Sequence, residues 1–201
     1  LLLLYNPSAG RAQTSRNLDM LLQKFCTGGC ETTVYPILDG LNAEDILAGA
    51  ESAGYDIVVC CGGDGTLHHT VNGLLRLEQP PLLGYIPSGS TNDFAASLGL
   101  PKTPEDAADA VVNGRPHAID AGDFGGELFC YVAAFGAFSA VSYETPQNMK
   151  NAMGHLAYII EGVKRLPIGE KYPARVEVGD QVFEEEFLFC SISNTTSIGG
   201  F

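Results

Sequence analysis

Asp56-Ile57-Val58-Val59-Cys60-Cys61-Gly62-Gly63-Asp64-Gly65-Thr66-Leu67 is the stretch on which the fold turns. The run Ile57–Cys61 is apolar without a break, the pattern of a strand in a sheet covered on both faces. Three glycines then fall within the four positions from Gly62 to Gly65, and the spacing from Leu67 to Leu77 predicts a helix. A buried strand, a glycine loop and a helix in that order make up half of a parallel β-α-β unit.

Outward from this stretch, the same alternation recurs. Leu1–Tyr5 reads as a short buried strand, followed by the turn cluster Asn6-Pro7-Ser8-Ala9-Gly10-Arg11. Leu18, Leu21, Leu22 and Phe25 fall on one helical face between Gln13 and Phe25, and Thr32–Leu38 is rich in β-formers. Asn42 is positioned to cap a helix that runs through Ala53. Leu82–Ile86 is another buried strand, Pro87–Thr91 a second loop and Asn92–Leu98 a short helix. Thr103-Pro104-Glu105-Asp106 supplies an N-cap, a first-turn proline and first-turn acids for a helix to about Asn113. Residues 1–114 are therefore expected to form an open, mostly parallel α/β sheet.

From Arg115 onward the pattern changes. Pro116–Asp123, Glu127–Phe138, Tyr172–Val178 and Gln181–Asn194 are strand-like, with one helix expected near Ala152–Leu166. Val176–Phe183 reads as a hairpin turning on Gly179-Asp180. A second, largely antiparallel domain is expected over residues 115–201. The chain has no initiator Met, and its last residues follow a strand with no closing element, so a fragment is expected.

Composition narrows the function. With 201 residues, 45% of them hydrophobic, and a net charge of −13, the chain can bury a core but carries no basic stripe for nucleic acid. No apolar run approaches the length of a membrane span. The six cysteines show no zinc-ligand spacing, and reduced thiols in a cytosolic setting are expected.

The chemistry concentrates in the loops. In an open α/β sheet, ligands gather beyond the carboxyl ends of the strands. Three loops should meet there: Asn6–Arg11, Gly62–Thr66, and Pro87-Ser88-Gly89-Ser90-Thr91-Asn92-Asp93. Glycines let the backbone approach a ligand, and a helix start presents free N–H groups to an anion. Asp64 would repel a phosphate unless a cation lay between them, which suggests Mg²⁺. Neither a Walker P-loop nor a dinucleotide fingerprint occurs.

The motifs N-P-x-x-G (Asn6, Pro7, Gly10), G-G-D-G-T (Gly62–Thr66) and P-x-G-S-T-N-D-F-A (Pro87–Ala95), in this order, resemble the diacylglycerol kinase catalytic domain. Ile119–Gly122, Tyr131–Gly136 and Gly154–Tyr158 extend the resemblance into the second domain, which the family would complete as a β-sandwich-like unit truncated here. The resemblance implies ATP as phosphoryl donor and a lipid hydroxyl, such as that of diacylglycerol, as acceptor. The implied nucleotide site is Asn6, Pro7, Ser8, Ala9, Gly10, Gly62, Gly63, Asp64, Gly65, Thr66, Gly89, Ser90 and Asn92. It also implies a catalytic acidic network of Asp64, Asp93 and Asp120 that engages Mg²⁺ through water. The general base would come from a later acidic segment not in this chain. Arg11 or Lys150 would add positive charge, and Phe135, Phe138 and Tyr143 would line a lipid cleft. The implied setting is cytoplasmic, peripheral to the inner membrane face, with a homodimer left open. Two alternatives stay open beside it: a kinase of the NAD-kinase kind with a soluble substrate, and a nucleotide-binding regulator without catalysis.

Overall fold

A computed structural model describes residues 1–9, 13–38, 40–136 and 171–196. They fall into two compact units, Leu1–Tyr131 with the segment from Asn194, and Val132–Ser193.

The first unit is built on four parallel strands: β1 (Leu2–Tyr5), β2 (Thr33–Pro36), β3 (Ile57–Gly62) and β4 (Leu82–Pro87). Their order across the sheet is β2-β1-β3-β4. The chain moves one way from β1 to β2, then jumps back over β1 to β3. The sheet therefore has its switch point between β1 and β3, where loops leaving the two strands diverge and open a crevice.

Helices α1 (Gln13–Thr27), α2 (Ala43–Ala50), α3 (Asp64–Leu75), α4 (Asp93–Ser97) and α5 (Pro104–Asn113) cover the sheet. Strand residues feed three buried clusters, one of which joins Cys60 and Tyr85 to Leu67 and Val71 of α3 and Phe94 of α4. Leu3, Val59, Cys61 and Ile86 pack with Leu21 and Phe25 of α1 and Ala107 and Ala108 of α5. Leu2, Leu4 and Val58 pack with Ala43, Ile46 and Leu47 of α2 and Leu74 of α3. Each fully buried Leu or Phe in these layers contributes about 1.5–3 kcal/mol.

The local start signals act as read. The Thr103 hydroxyl accepts the Asp106 N–H at 3.1 Å, and the Asn42 side chain accepts the Asp45 N–H at 2.9 Å. The second helix ends earlier than expected: α2 stops at Ala50, and a 3₁₀ turn over Glu51–Ala53 closes on left-handed Gly54. The third starts earlier. The Leu67 N–H already bonds to the Gly63 carbonyl at 3.0 Å, so Asp64, Gly65 and Thr66 form the first turn of α3 instead of a separate loop.

Residues 115–131 pack with the first unit. Their strands are short, β5 (Gly122–Phe124) and β6 (Glu127–Phe129), paired as a hairpin. Asn72 of α3, 1% exposed, holds this hairpin as a strand neighbour would. Its Oδ1 accepts the Leu128 N–H at 2.9 Å, and its Nδ2 donates to the Leu128 carbonyl at 2.8 Å. The expected strand 116–123 is reduced to β5, Gly122–Phe124.

In the second unit, β7 (Val132–Gly136) pairs antiparallel with β10 (Phe189–Ser193), and β8 (Tyr172–Val178) with β9 (Gln181–Phe187). Gly179 turns the latter hairpin at φ +59°. Phe135 meets Tyr172 edge-on at a centroid distance of 6.1 Å, which joins the two pairs. The expected helix 152–166 lies outside the described residues.

Candidate functional site

At the end of β1, the Asn6 N–H bonds to the Cys61 carbonyl of β3 at 2.9 Å, directly across the switch point. The Asn6 side chain then works in two directions. Its Oδ1 accepts the Ser8 N–H at 2.9 Å, which folds Pro7, Ser8 and Ala9 into a tight turn, and its Nδ2 donates to the Thr66 hydroxyl at 3.2 Å. The first loop is thereby tied to the first turn of α3. Gly10 and Arg11 lie outside the described residues, as do Phe138, Tyr143 and Lys150.

The loops after β3 and β4 meet backbone to backbone. A Cβ on Gly89 would stand 2.5 Å from the Gly63 Cα, and one on Gly62 would stand 2.5 Å from the Thr66 Cβ. Only glycine allows this approach. The Ser88 N–H bonds to the Gly62 carbonyl at 2.8 Å. Asn92, expected to touch nucleotide, closes its own loop. Its Oδ1 accepts the Gly89 N–H at 2.7 Å and its Nδ2 donates to the Gly89 carbonyl at 3.0 Å. That bracket holds Asn92 in the left-handed region at φ 56°. Ser90 is exposed on the same loop.

The carboxylates of Asp64 and Asp93 accept main-chain and hydroxyl donors. Asp64 accepts the N–H groups of Asp93 and Phe94, at 3.2 Å through Oδ2 and 3.3 Å through Oδ1. Burial raises its pKa. The N–H bonds from Phe94 and Asp93 pull the other way, and the Asp93 charge adds to the rise. Asp93 is 3% exposed and accepts the Tyr131 hydroxyl proton through Oδ2 at 2.8 Å. Asp120 is exposed, and its main-chain carbonyl accepts from Asn194 Nδ2 at 2.6 Å. The Asn194 N–H in turn bonds to the Tyr131 carbonyl at 2.9 Å. Asp64 and Asp93 are thus brought together, and Asp120 is linked to them through Asn194 and Tyr131. Neither of these two connecting residues was singled out as functional from the sequence. Each sits at an element end, with nothing local to mark its distant partner.

The His68 and His69 rings meet edge-on, with centroids 5.3 Å apart, and reach different partners. His69 Nδ1 lies 3.0 Å from Glu44, which Arg76 also pairs, and His68 Nε2 lies 3.8 Å from Glu127. Neither pairs with Asp64, Asp93 or Asp120.

A nucleotide phosphate fits this arrangement. The N-cap of α3 is Gly63, which offers no side chain to the first-turn N–H groups. The space beside Gly65 is open, with nothing within 4 Å of where its Cβ would stand. Uncovered N–H groups at the positive end of a helix dipole form an anion site. Direct coordination of Mg²⁺ by Asp64, Asp93 and Asp120 together is not offered here. Among the described residues no three His, Cys, Asp or Glu side chains converge to hold a metal, and both Asp64 oxygens face α4 N–H groups. The water-mediated engagement expected of the three needs no such convergence. An open hollow of about 440 Å³ on the β8–β9 hairpin sets Glu184, Glu185 and Glu186 against the single guanidinium of Arg175, which is poor chemistry for a nucleotide anion.

Comparison with known proteins agrees with the fold and adds a family. The model of the diacylglycerol kinase catalytic domain matches residues 1–124. The diacylglycerol kinase of Bacillus subtilis (strain 168) is 36% identical over 202 residues, which cover 99% of this chain and 66% of the relative. A diacylglycerol kinase of Staphylococcus saprophyticus is 35% identical over 199 residues, 99% of this chain and 65% of its own. A crystal structure from Bacillus anthracis str. Sterne superposes with a TM-score of 0.80 at 26% identity, covering 99% of this chain and 66% of that one. The chain therefore spans about two thirds of the length of the relatives it matches.

Proposed function

The chain belongs to the diacylglycerol kinase catalytic domain family, and from that premise we propose that the protein is an ATP-dependent lipid kinase. It transfers the γ-phosphoryl group to a lipid hydroxyl such as that of diacylglycerol. The observation that carries this reading is the uncapped start of α3, set at the sheet's switch point between the Asn6 turn and the Gly89 loop.

ATP, when bound, supplies the phosphoryl group and leaves as ADP. The chain's own residues would bind and orient it. The N–H groups of the first turn of α3, from Asp64 to Thr66, would receive phosphate oxygens without reorganising, and the dipole of α3 would favour their charge. Gly63 and Gly89, in mutual contact, would keep side chains out of the cradle. Asn6 would fix the Thr66 hydroxyl facing the same space. For phosphoryl transfer, such positioning is most of what a protein contributes. Asp64 and Asp93 would stand behind the cradle as fixed negative charge, with Asp120 linked through Asn194.

A lipid acceptor requires work at a membrane surface. Among the described residues no helix is long and apolar enough to cross a membrane, and the proposed contact is peripheral. The proposed setting is the cytoplasm, where ATP is abundant and thiols are kept reduced.

The test is transfer of label from radioactive ATP to a mixed lipid extract, with the full-length natural protein and Mg²⁺. A labelled lipid supports the reading, and its mobility names the acceptor class. Label in a soluble dinucleotide would redirect it to an enzyme of the NAD-kinase kind. ATP binding with no transfer to any acceptor would make it a nucleotide-binding regulator.

A further inference from the structure

Asp64 is the residue from which a metal was expected, and both of its oxygens already accept main-chain N–H groups. Helix α4 has only five residues, too few to hold itself in water. Its own N-cap residue, Asn92, makes no capping bond, because its side chain is committed to Gly89. The cap comes instead from a different helix. Asp64, in the first turn of α3, places Oδ2 on the Asp93 N–H and Oδ1 on the Phe94 N–H, the first two donors of α4. A carboxylate on main-chain N–H groups at a helix start is a charge-assisted pair, favoured again by the helix dipole. Next to it, Gly63 and Gly89 leave no gap between the two loops.

We infer that Asp64 is a positioning residue, a clasp that caps α4 from outside and fixes the 87–93 loop against the start of α3, with no metal needed for that role. The clasp gives the loop its place before any nucleotide arrives. Its functional meaning rests on the reading of these loops as a nucleotide site, but its existence does not.

Amide hydrogen exchange at Asp93 and Phe94 tests it, in EDTA and without nucleotide. The comparison is between the natural protein, Asp64→Ala and Asp64→Asn. The two amides should be protected in the natural protein and exchange about tenfold faster or more in Asp64→Ala. Asp64→Asn, which keeps one oxygen acceptor, should fall between them and guards against a failure of the alanine variant to fold. Equal exchange at both amides in the natural protein and in Asp64→Asn and Asp64→Ala would overturn the clasp, as would protection that appears only when Mg²⁺ is added. A separate ATP titration of the natural protein keeps the two claims apart. Protected amides with no ATP binding would leave the clasp standing and remove the nucleotide reading.

Discussion

Replacing Gly65 by alanine separates stability from binding with opposite signs. Gly65 lies within the first turn of α3, is exposed, and has nothing within 4 Å of the position a Cβ would take. Its φ is helical, so alanine enters without strain. Glycine in a helix costs roughly 0.5–1 kcal/mol relative to alanine through the freedom it loses on folding. Gly65→Ala should therefore stabilise the protein by about 0.5 kcal/mol, a rise of roughly 1–2 °C in melting temperature for a chain of this size. The same methyl group would stand in the open space where the phosphates are proposed to approach the N–H groups. Losing one or two charge-assisted hydrogen bonds at about 1.5–3 kcal/mol each would weaken ATP binding by at least tenfold. Thermal unfolding and an ATP titration on the same preparation read the two signs. Unchanged ATP affinity in a stabilised Gly65→Ala protein would refute the placement of the phosphates at this turn. A fall in stability would refute the open space.

Asn72→Leu should lower the unfolding free energy by about 2 kcal/mol, because it strands the Leu128 N–H and carbonyl that the amide now satisfies. A loss in urea titration below about 0.5 kcal/mol would contradict that role. Tyr85 carries a hydroxyl that is, among the described residues, the buried side-chain polar group with no hydrogen-bond partner, and burial drives its pKa far upward. Tyr85→Phe should therefore leave stability unchanged or raise it by up to about 1 kcal/mol, and a clear loss would mean that the hydroxyl is paired. Burial pushes the thiols of Cys61 and Cys130 up to about 11 and that of Cys60 up to about 12. At pH 8 no more than roughly one in a thousand would be thiolate, the reactive form, and the fraction would grow only as pH rises toward those values. Iodoacetamide at pH 8 should label exposed Cys26 and spare these three, and mass spectrometry showing Cys61 labelled as fast as Cys26 would sink the argument.

Features set by neighbours in sequence were legible. Strands β1, β3 and β4 followed from apolar runs, β2 from its β-formers, and the starts of α2 and α5 from Asn42 and Thr103, whose capping bonds span three residues. The positions of the glycine loops at one sheet edge followed from their place after strands. What was hidden depends on partners far along the chain. The start of α3 was placed too late because Gly62 to Gly65 have weak helix propensity, while the Leu67–Gly63 bond and the bonds from Asp64 to Asp93 and Phe94 override it. The expected single strand 127–138 breaks at Cys130-Tyr131, where Tyr131 turns its hydroxyl to Asp93. Asp64, Asp93 and Asp120 are tied together by bonds between residues far apart in sequence. Asp64 and Asp93 meet, but their oxygens serve main-chain and tyrosine donors, while Asp120 is reached only through Asn194.

The central claim is that nucleotide phosphates rest on the first turn of α3 between the Asn6 turn and the Gly89 loop. A crystal structure of the full-length protein with a non-hydrolysable ATP analogue tests it most directly. The account predicts phosphate oxygens within hydrogen-bond distance of the Gly65 and Thr66 N–H groups, with Gly63 and Gly89 still in contact beneath them. An analogue bound with its phosphates away from this turn would contradict it.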